Sequence, residues 1–170
     1  MPRFFDSIRF ALRFSLRSFT DQSVNALLVA RKHAVERRFS DITPEHVLFG
    51  IAALPRCTAR VVLENIGLDL VREAMAVTDL ADSYSPGESY ASPRLAAGTE
   101  QLLGRAKEQA RALGLNYVGT EHLVLGMLGG SGQAADYLRD QGITPERFLA
   151  ELQDLFAVPP KPPNSDQPTE

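Results

Sequence analysis

The sequence has little cysteine, no long apolar run and a small net charge. Cys57 is the single cysteine of the 170 residues, so no disulfide can form within the chain. We expect Cys57 to be a small, partly buried residue, with a reactive thiol as the alternative. No apolar run reaches the roughly 18–20 residues that a membrane span needs. The net charge of −3 argues against non-specific nucleic-acid binding, which needs a concentrated basic surface.

The patterns that mark common enzyme sites are also missing. The Gly-Gly-Ser-Gly loop at residues 129–132 lacks the Lys-Ser/Thr ending of a phosphate-binding P-loop, which favours a flexible turn. The chain contains no Gly-x-Ser-x-Gly motif and no evident set of nucleophile and base. His46 and His122 each follow a glutamate, without the second histidine four residues on that a zinc-binding helix uses. We therefore expect structural histidines, no cofactor and no enzymatic activity.

The chain does contain a tandem repeat. Residues 42–51 read I-T-P-E-H-V-L-F-G-I, and residues 118–127, which begin 76 residues later, read V-G-T-E-H-L-V-L-G-M. The flanking sequence keeps the same offset, because Leu27 corresponds to Leu103 and Ala34 to Ala110. A repeat of this length predicts two copies of one structural unit.

Apolar residues at helical spacing predict four helices in each copy. In repeat 1 these helices cover about residues 20–38, 43–54, 58–65 and 69–76; in repeat 2 they cover about 95–113, 120–128, 134–141 and 145–156. Gly50 and Gly126 interrupt helices that are apolar on every side, which predicts that another helix approaches closely at each glycine. Because one such unit buries too little apolar surface alone, we predict an all-α fold of eight helices around a pseudo-twofold axis.

The domain limits follow from the repeat and from changes in composition. We predict an N-terminal basic amphipathic arm or helix (1–18), repeat 1 (19–77), a linker (78–94), repeat 2 (95–156) and a disordered Pro-rich tail (157–170). Arg9, Arg13 and Arg17 would form one stripe on a helical arm. Two interpretations of the arm remain open: a membrane-surface or organelle-targeting helix, or an extra helix that lays its aromatic face on the domain or on a partner.

The first turns of the two central helices are the best candidates for binding chemistry. The helix that starts near Thr43 and the one that starts near Gly119 each offer free backbone N–H groups, which favour an anion. Each turn also carries a carboxylate, Glu45 or Glu121, that could pair with a guanidinium or an ammonium. Such a turn suits a ligand that carries both charges. The alternative is that each glutamate only completes the cap of its own helix.

Residues 118–127, together with residues 112–117, closely resemble the repeat of the Clp N-terminal domain, which opens the ClpC- and ClpA-type AAA+ unfoldases. The sequence Phe19-Thr20-Asp21 is similar to the usual opening of that domain, and residues 133–143 are similar to its third helix. The resemblance covers about residues 19–156 and implies the same pseudo-twofold pair of four-helix units. The chain looks like a free-standing Clp N-terminal domain without ATPase modules.

The resemblance implies a non-enzymatic role in the cytoplasm, as an adaptor or regulator that docks substrates or adaptor proteins to a Clp ATPase or protease. In ClpC-type domains the glutamate of this motif helps to recognise phosphorylated arginine. Carried over, it implies Glu45 and Glu121 as ligand-binding glutamates, one in each copy, with Thr120 beside the phosphate in the second copy. In the first copy Pro44 replaces the threonine and so removes an N–H and a hydroxyl.

Two alternatives to the adaptor role stay open. The same fold could serve as a sink for small molecules or phosphoarginine-modified peptides without acting through the protease. The chain could also be an accessory subunit at a membrane or organelle, attached through residues 1–18.

Overall fold

The computed structural model describes residues 16–70, 72 and 93–157, and within them the chain forms seven α-helices and two very short strands. Repeat 1 comprises α1 (Asp21–Glu36), β1 (Asp41–Ile42), α2 (Pro44–Ala52) and α3 (Thr58–Ile66). Repeat 2 comprises β2 (Arg94–Leu95), α4 (Ala97–Ala112), α5 (Thr120–Leu128), α6 (Gln133–Asp140) and α7 (Pro145–Phe156). A single 3-10 turn, Leu16–Ser18, precedes α1. The prediction of an all-α fold is confirmed.

Several predicted segments lie wholly or mostly outside the described residues. These are residues 1–15 of the arm, most of the predicted helix at 69–76, residues 78–92 of the linker and residues 158–170 of the tail.

The helix boundaries follow local sequence signals. The Thr20 hydroxyl accepts a hydrogen bond from the Ser23 N–H at 3.3 Å and caps α1. Thr144 caps α7 in the same way, accepting from the Arg147 N–H at 3.2 Å. Gly67 follows α3 with a φ of 106°, in the left-handed region that favours glycine. α1 ends two residues before the predicted residue 38.

The two glycines of the central helices mark the places where helices approach most closely. A Cβ atom built on Gly50 would overlap the carbonyl oxygen of Ala26 in α1. One built on Gly126 would lie 2.6 Å from the carbonyl oxygen of Leu102 in α4. The predicted close approach is confirmed, and the approaching helix is the long helix of the same repeat. The central helix of each repeat therefore packs with its backbone directly on the backbone of the long helix.

One hydrophobic core extends through both repeats. It includes fully buried side chains from all seven described helices: Leu27, Leu48, Leu63, Leu102, Leu123, Leu138 and Phe148. α3 of repeat 1 packs against α7 of repeat 2. At that contact the Arg147 guanidinium donates to the carbonyl oxygen of Ile66 at 3.1 Å. The two repeats therefore share their apolar interior.

Short parallel strand pairs link the repeats, and sequence analysis did not predict them. Ile42 of β1 pairs with Leu95 of β2, and an isolated bridge joins Phe19 to Val118. Leu95 lies 76 residues after Phe19, and Val118 lies 76 residues after Ile42, so the two pairings are equivalent. β2 also includes Arg94, the last residue of the predicted linker. The segment that enters each long helix thus pairs with the segment that enters the central helix of the other repeat.

Buried hydroxyl groups reinforce both pairings. The carbonyl oxygen of Val118 accepts from the Thr20 N–H at 3.0 Å and from the Ser23 hydroxyl at 2.9 Å. The carbonyl oxygen of Ile42 accepts from the Ala96 N–H at 3.1 Å. It also accepts from the Thr99 hydroxyl at 2.7 Å, and Thr99 is the repeat equivalent of Ser23. Each central helix is therefore preceded by a carbonyl group held by two donors from the other repeat.

Replacing Gly50 by alanine should lower the free energy of unfolding by about 2–3 kcal/mol, because the new methyl group must push α2 away from α1. The matched control is Gly104→Ala in α4, where an added Cβ meets no heavy atom within 4 Å. That control should raise the free energy of unfolding by about 0.5–1 kcal/mol. Urea denaturation followed by circular dichroism measures the free energy of unfolding of both variants. Equal changes in the two variants would contradict the close approach of α2 to α1.

Candidate functional site

The three predicted ligand residues lie in the first turns of the two central helices. Glu45 is in α2, whereas Thr120 and Glu121 are neighbours in α5. Only small fractions of their surfaces are exposed: 3% for Glu45, 2% for Thr120 and 8% for Glu121. The structure thus brings Thr120 and Glu121 together, and it places Glu45 at the equivalent turn of the other repeat.

Histidines cap the two central helices, a role that the sequence alone had offered to the glutamates. Nδ1 of His46 accepts a hydrogen bond from the Thr43 N–H at 3.1 Å. Nδ1 of His122 accepts from the Gly119 N–H at 2.9 Å. An imidazole nitrogen that accepts an N–H carries no proton, so the proton of each neutral ring is on Nε2. Both rings are fully buried, and the histidines have the structural role that was predicted.

Glu45 and Thr120 each cap a helix of the other repeat. Oε1 of Glu45 accepts from the Ala134 N–H at the start of α6, at 3.0 Å. The Thr120 hydroxyl accepts from the Ala59 N–H at the start of α3, at 3.2 Å. The two bonds are equivalent, but Pro44 has no hydroxyl to match that of Thr120, and the neighbouring Glu45 carboxylate supplies the acceptor. Within the part of the chain that the structure describes, Oε2 of Glu45 is buried without a hydrogen-bond partner.

The Glu121 carboxylate takes a different direction from that of Glu45. It folds back over Gly119, where any Cβ atom would overlap it, and its Oε1 lies 3.1 Å from Nδ1 of His122. Because Nδ1 already accepts the Gly119 N–H, this contact is not an ion pair in the neutral tautomer. In repeat 1 the Thr43 hydroxyl occupies the corresponding place, 2.8 Å from Nδ1 of His46. The difference between Thr43 and Gly119 thus explains why the two carboxylates diverge.

Cys57 lies immediately before α3, close to Thr120. It is 1% exposed, and its thiol donates to the carbonyl oxygen of Ile51 at 3.7 Å. Burial raises the pKa of the Cys57 thiol, and hydrogen bonds with Arg60 and Thr120 oppose this effect only in part. The stabilising contribution of the neutral thiol is therefore complete below the pKa of the unfolded chain and is lost as the pH rises through the folded-state pKa.

Residues 16–70, 72 and 93–157 offer neither a metal site nor a membrane-spanning helix. No group of three or more histidine, cysteine, aspartate or glutamate residues in these ranges is placed to hold a metal ion. None of the helices in the same ranges is both long enough and apolar enough to cross a membrane.

The fold and the capping hydrogen bonds between the repeats define an all-α module of two pseudo-symmetric repeats. Each repeat supplies a side chain that caps a helix of the other. The chain belongs to the Clp repeat (R) N-terminal domain family, whose sequence profile matches residues 18–168. The resemblance found in residues 112–127, 19–21 and 133–143 is thereby confirmed.

Similar curated proteins include ATP-binding subunits of Clp proteases and Clp chaperones. A probable ATP-dependent Clp protease ATP-binding subunit from Chlamydia pneumoniae is 32% identical over 136 residues, which cover 79% of this chain and 16% of that protein. The chloroplastic chaperone protein ClpC of Pisum sativum is 29% identical over 148 residues, which cover 85% of this chain and 16% of that protein. The matching segment is thus a small part of each relative.

Solved Clp N-domains share the fold. The N-domain of ClpV from Vibrio cholerae superposes with a TM-score of 0.65 at 24% identity, covering 82% of this chain and 87% of that one. A ClpV N-domain in complex with a VipB peptide superposes with a TM-score of 0.66 at 23% identity, covering 82% and 89%. At these identities the likeness establishes the shared all-α architecture.

The cap formed by Thr120 can be tested by two conservative substitutions. Thr120→Val keeps the volume but leaves the buried Ala59 N–H without its acceptor, and it should cost about 1–3 kcal/mol of unfolding free energy. Thr120→Ser keeps the hydroxyl, loses one methyl group and should cost about 0.8 kcal/mol. Chemical denaturation measures both values. The reverse order, with serine more damaging than valine, would show that volume matters and the hydroxyl does not.

Proposed function

We propose that this chain is a non-enzymatic protein-binding module that docks substrates or adaptor proteins to a Clp-type ATP-dependent protease, or regulates that protease. The observation that carries the proposal is the family match over residues 18–168. The Clp ATPase relatives contain a segment similar to this chain, and a solved N-domain of the same fold holds a peptide. Its partners would be Clp ATPase or protease subunits, adaptors or substrate proteins, in the cytoplasm.

A second candidate function is a stand-alone binder of phosphoarginine-modified peptides or small molecules that carry both charges. The feature that favours it is the first turn of α5. There the Glu121 carboxylate lies beside an acceptor nitrogen of His122 and takes no part in capping α3 or α6. A buried carboxylate beside an acceptor nitrogen gains from a guanidinium or an ammonium brought by a ligand.

The proposed ligand-binding residues are Glu45 in the first turn of α2 and Thr120 and Glu121 in the first turn of α5, and the three have different tasks. Glu121 is the most exposed of them and would pair with the cationic group of the ligand. The N-terminus of α5, next to Thr120, would favour the phosphate. Glu45 uses Oε1 to cap α6, so only its Oε2 is left to accept from a ligand.

The adaptor function predicts direct binding to purified Clp subunits. The full chain, immobilised and exposed separately to the ATPase and the peptidase subunits from its own organism, should retain at least one of them. We expect micromolar affinity, which is typical of a transient docking contact. A helical protein of similar size and net charge is the control. Retention of neither subunit would contradict the adaptor function and would leave the stand-alone binder as the better explanation.

The ligand site predicts that phosphoarginine binding depends on Glu121. Glu121→Ala should weaken binding at least about tenfold, because the cationic group of the ligand loses its counter-charge. Glu108→Ala, which removes an exposed carboxylate from α4, is the matched control and should leave binding unchanged. Isothermal titration calorimetry measures both. The absence of binding to the wild type, or equal binding by both variants, would exclude this site without affecting the docking of Clp subunits.

A further inference from the structure

The N-cap position of α5 is occupied by a glycine that the backbone there does not need. Gly119 has a φ of −84° and a ψ of 175°, an extended conformation that any residue adopts. Its equivalent in repeat 1, 76 residues earlier, is Thr43, and the φ of −92° and ψ of 168° of Thr43 are nearly the same. A side chain is therefore compatible with this backbone. The reason for a glycine at residue 119 lies in the space that a side chain would fill.

That space holds the carboxyl group of Glu121. The three heavy atoms nearest to a Cβ atom built on Gly119 are the carboxyl carbon and both carboxylate oxygens of Glu121, all of them too close for a real Cβ atom. Glu121 is 8% exposed, and its Oε1 lies 3.1 Å from Nδ1 of His122, which already accepts the Gly119 N–H. The buried carboxylate thus lies beside the N-cap residue of α5.

The folded-back carboxylate has a consequence for a ligand that carries both charges. It places a negative charge close to the N–H groups that open α5. In phosphoarginine the phosphate is bonded directly to a guanidinium nitrogen, so the negative and positive groups of this ligand are also neighbours. A carboxylate beside the helix N-terminus can pair with the guanidinium while the phosphate reaches the N–H groups of the same turn. A carboxylate turned out to solvent would separate these two attractions.

We propose that Gly119 is a positioning residue that makes the first turn of α5 selective for ligands whose phosphate and guanidinium groups are directly bonded. Its missing side chain keeps the Glu121 carboxylate beside the helix N-terminus. This inference rests on the proposed ligand site at that turn.

Repeat 1 has a different arrangement at the equivalent turn. The Thr43 hydroxyl lies 2.8 Å from Nδ1 of His46, in the place that the Glu121 carboxylate takes in repeat 2. The Glu45 carboxylate turns instead to the Ala134 N–H of α6. The first turn of α2 therefore lacks the selectivity proposed for the first turn of α5.

Carboxyl labelling of the free protein tests the position of Glu121 without any ligand. Gly119→Ala adds one methyl group, which should push the flexible end of the Glu121 side chain out to solvent. A water-soluble carbodiimide and an amine should then modify Glu121 several-fold faster than in the wild type, as measured by mass spectrometry. Gly104→Ala, whose added Cβ meets no heavy atom within 4 Å, is the matched control and should keep the wild-type rate. Equal labelling of the wild type and Gly119→Ala would overturn the positioning role.

Two ligands of different charge test the selectivity. Gly119→Ala should bind phosphoarginine about tenfold more weakly than the wild type in isothermal titration calorimetry, because the guanidinium loses its nearby counter-charge. Inorganic phosphate should bind roughly threefold more tightly to the variant in phosphorus NMR titrations, because a negative charge has left the helix N-terminus. Weakening of both ligands would indicate a disturbed turn and would overturn the proposal.

A double-mutant cycle shows whether Gly119 acts through the carboxylate. In the Glu121→Ala background, Gly119→Ala should change the binding of neither ligand, and a full effect there would also overturn the proposal. No binding of phosphoarginine by the wild type would overturn the proposed site together with its selectivity. Binding that depends on Glu121 but is unchanged in Gly119→Ala would overturn the selectivity alone.

Discussion

The carbonyl groups of Ile42 and Val118 connect the two halves of this molecule. Each stands just ahead of a central helix, and each accepts one backbone N–H and one buried hydroxyl from the other repeat. A buried carbonyl without donors would cost free energy, so these contacts determine where the chain can enter α2 and α5. The positions of the two first turns, and hence of Glu45 and Glu121, depend on this exchange.

The repeats have diverged at the N-cap position of the central helix and at the position that follows it. Thr120 caps α3 with its hydroxyl, whereas Pro44 cannot cap α6, and Glu45 does so instead. Gly119 leaves room for the Glu121 carboxylate to fold back, whereas in repeat 1 the Thr43 hydroxyl fills that space. These two differences between the repeats are enough to give the two glutamates different environments. The pseudo-twofold symmetry of the backbone therefore does not extend to the chemistry of the two turns.

The features of the fold that could be predicted from the sequence are local or periodic. The repeat offset, the positions of the helices and the close approach at Gly50 follow from short patterns that can be read along the chain. The pairing of β1 with β2 could not be predicted, because each strand has two residues and its partner lies about fifty residues away. The burial of Ser23 and Thr99 had a usable signal, since both repeats place a hydroxyl on an otherwise apolar helix face. No pattern indicated that Glu45 reaches the Ala134 N–H rather than its own helix.

The first turns of α2 and α5 contain residues that stabilise the fold and residues of the proposed binding sites. A change at Thr120 or Glu45 removes the acceptor for a buried N–H of the other repeat, so a loss of binding in such a variant could come from a disturbed fold. Among the described residues Glu121 makes no hydrogen bond to the other repeat, and Nδ1 of the neighbouring His122 already has a donor in the Gly119 N–H. Its carboxylate can therefore be removed with the caps of α3, α5 and α6 left intact. Of the three residues of the proposed site, Glu121 is thus the one whose substitution reports on the ligand rather than on the fold.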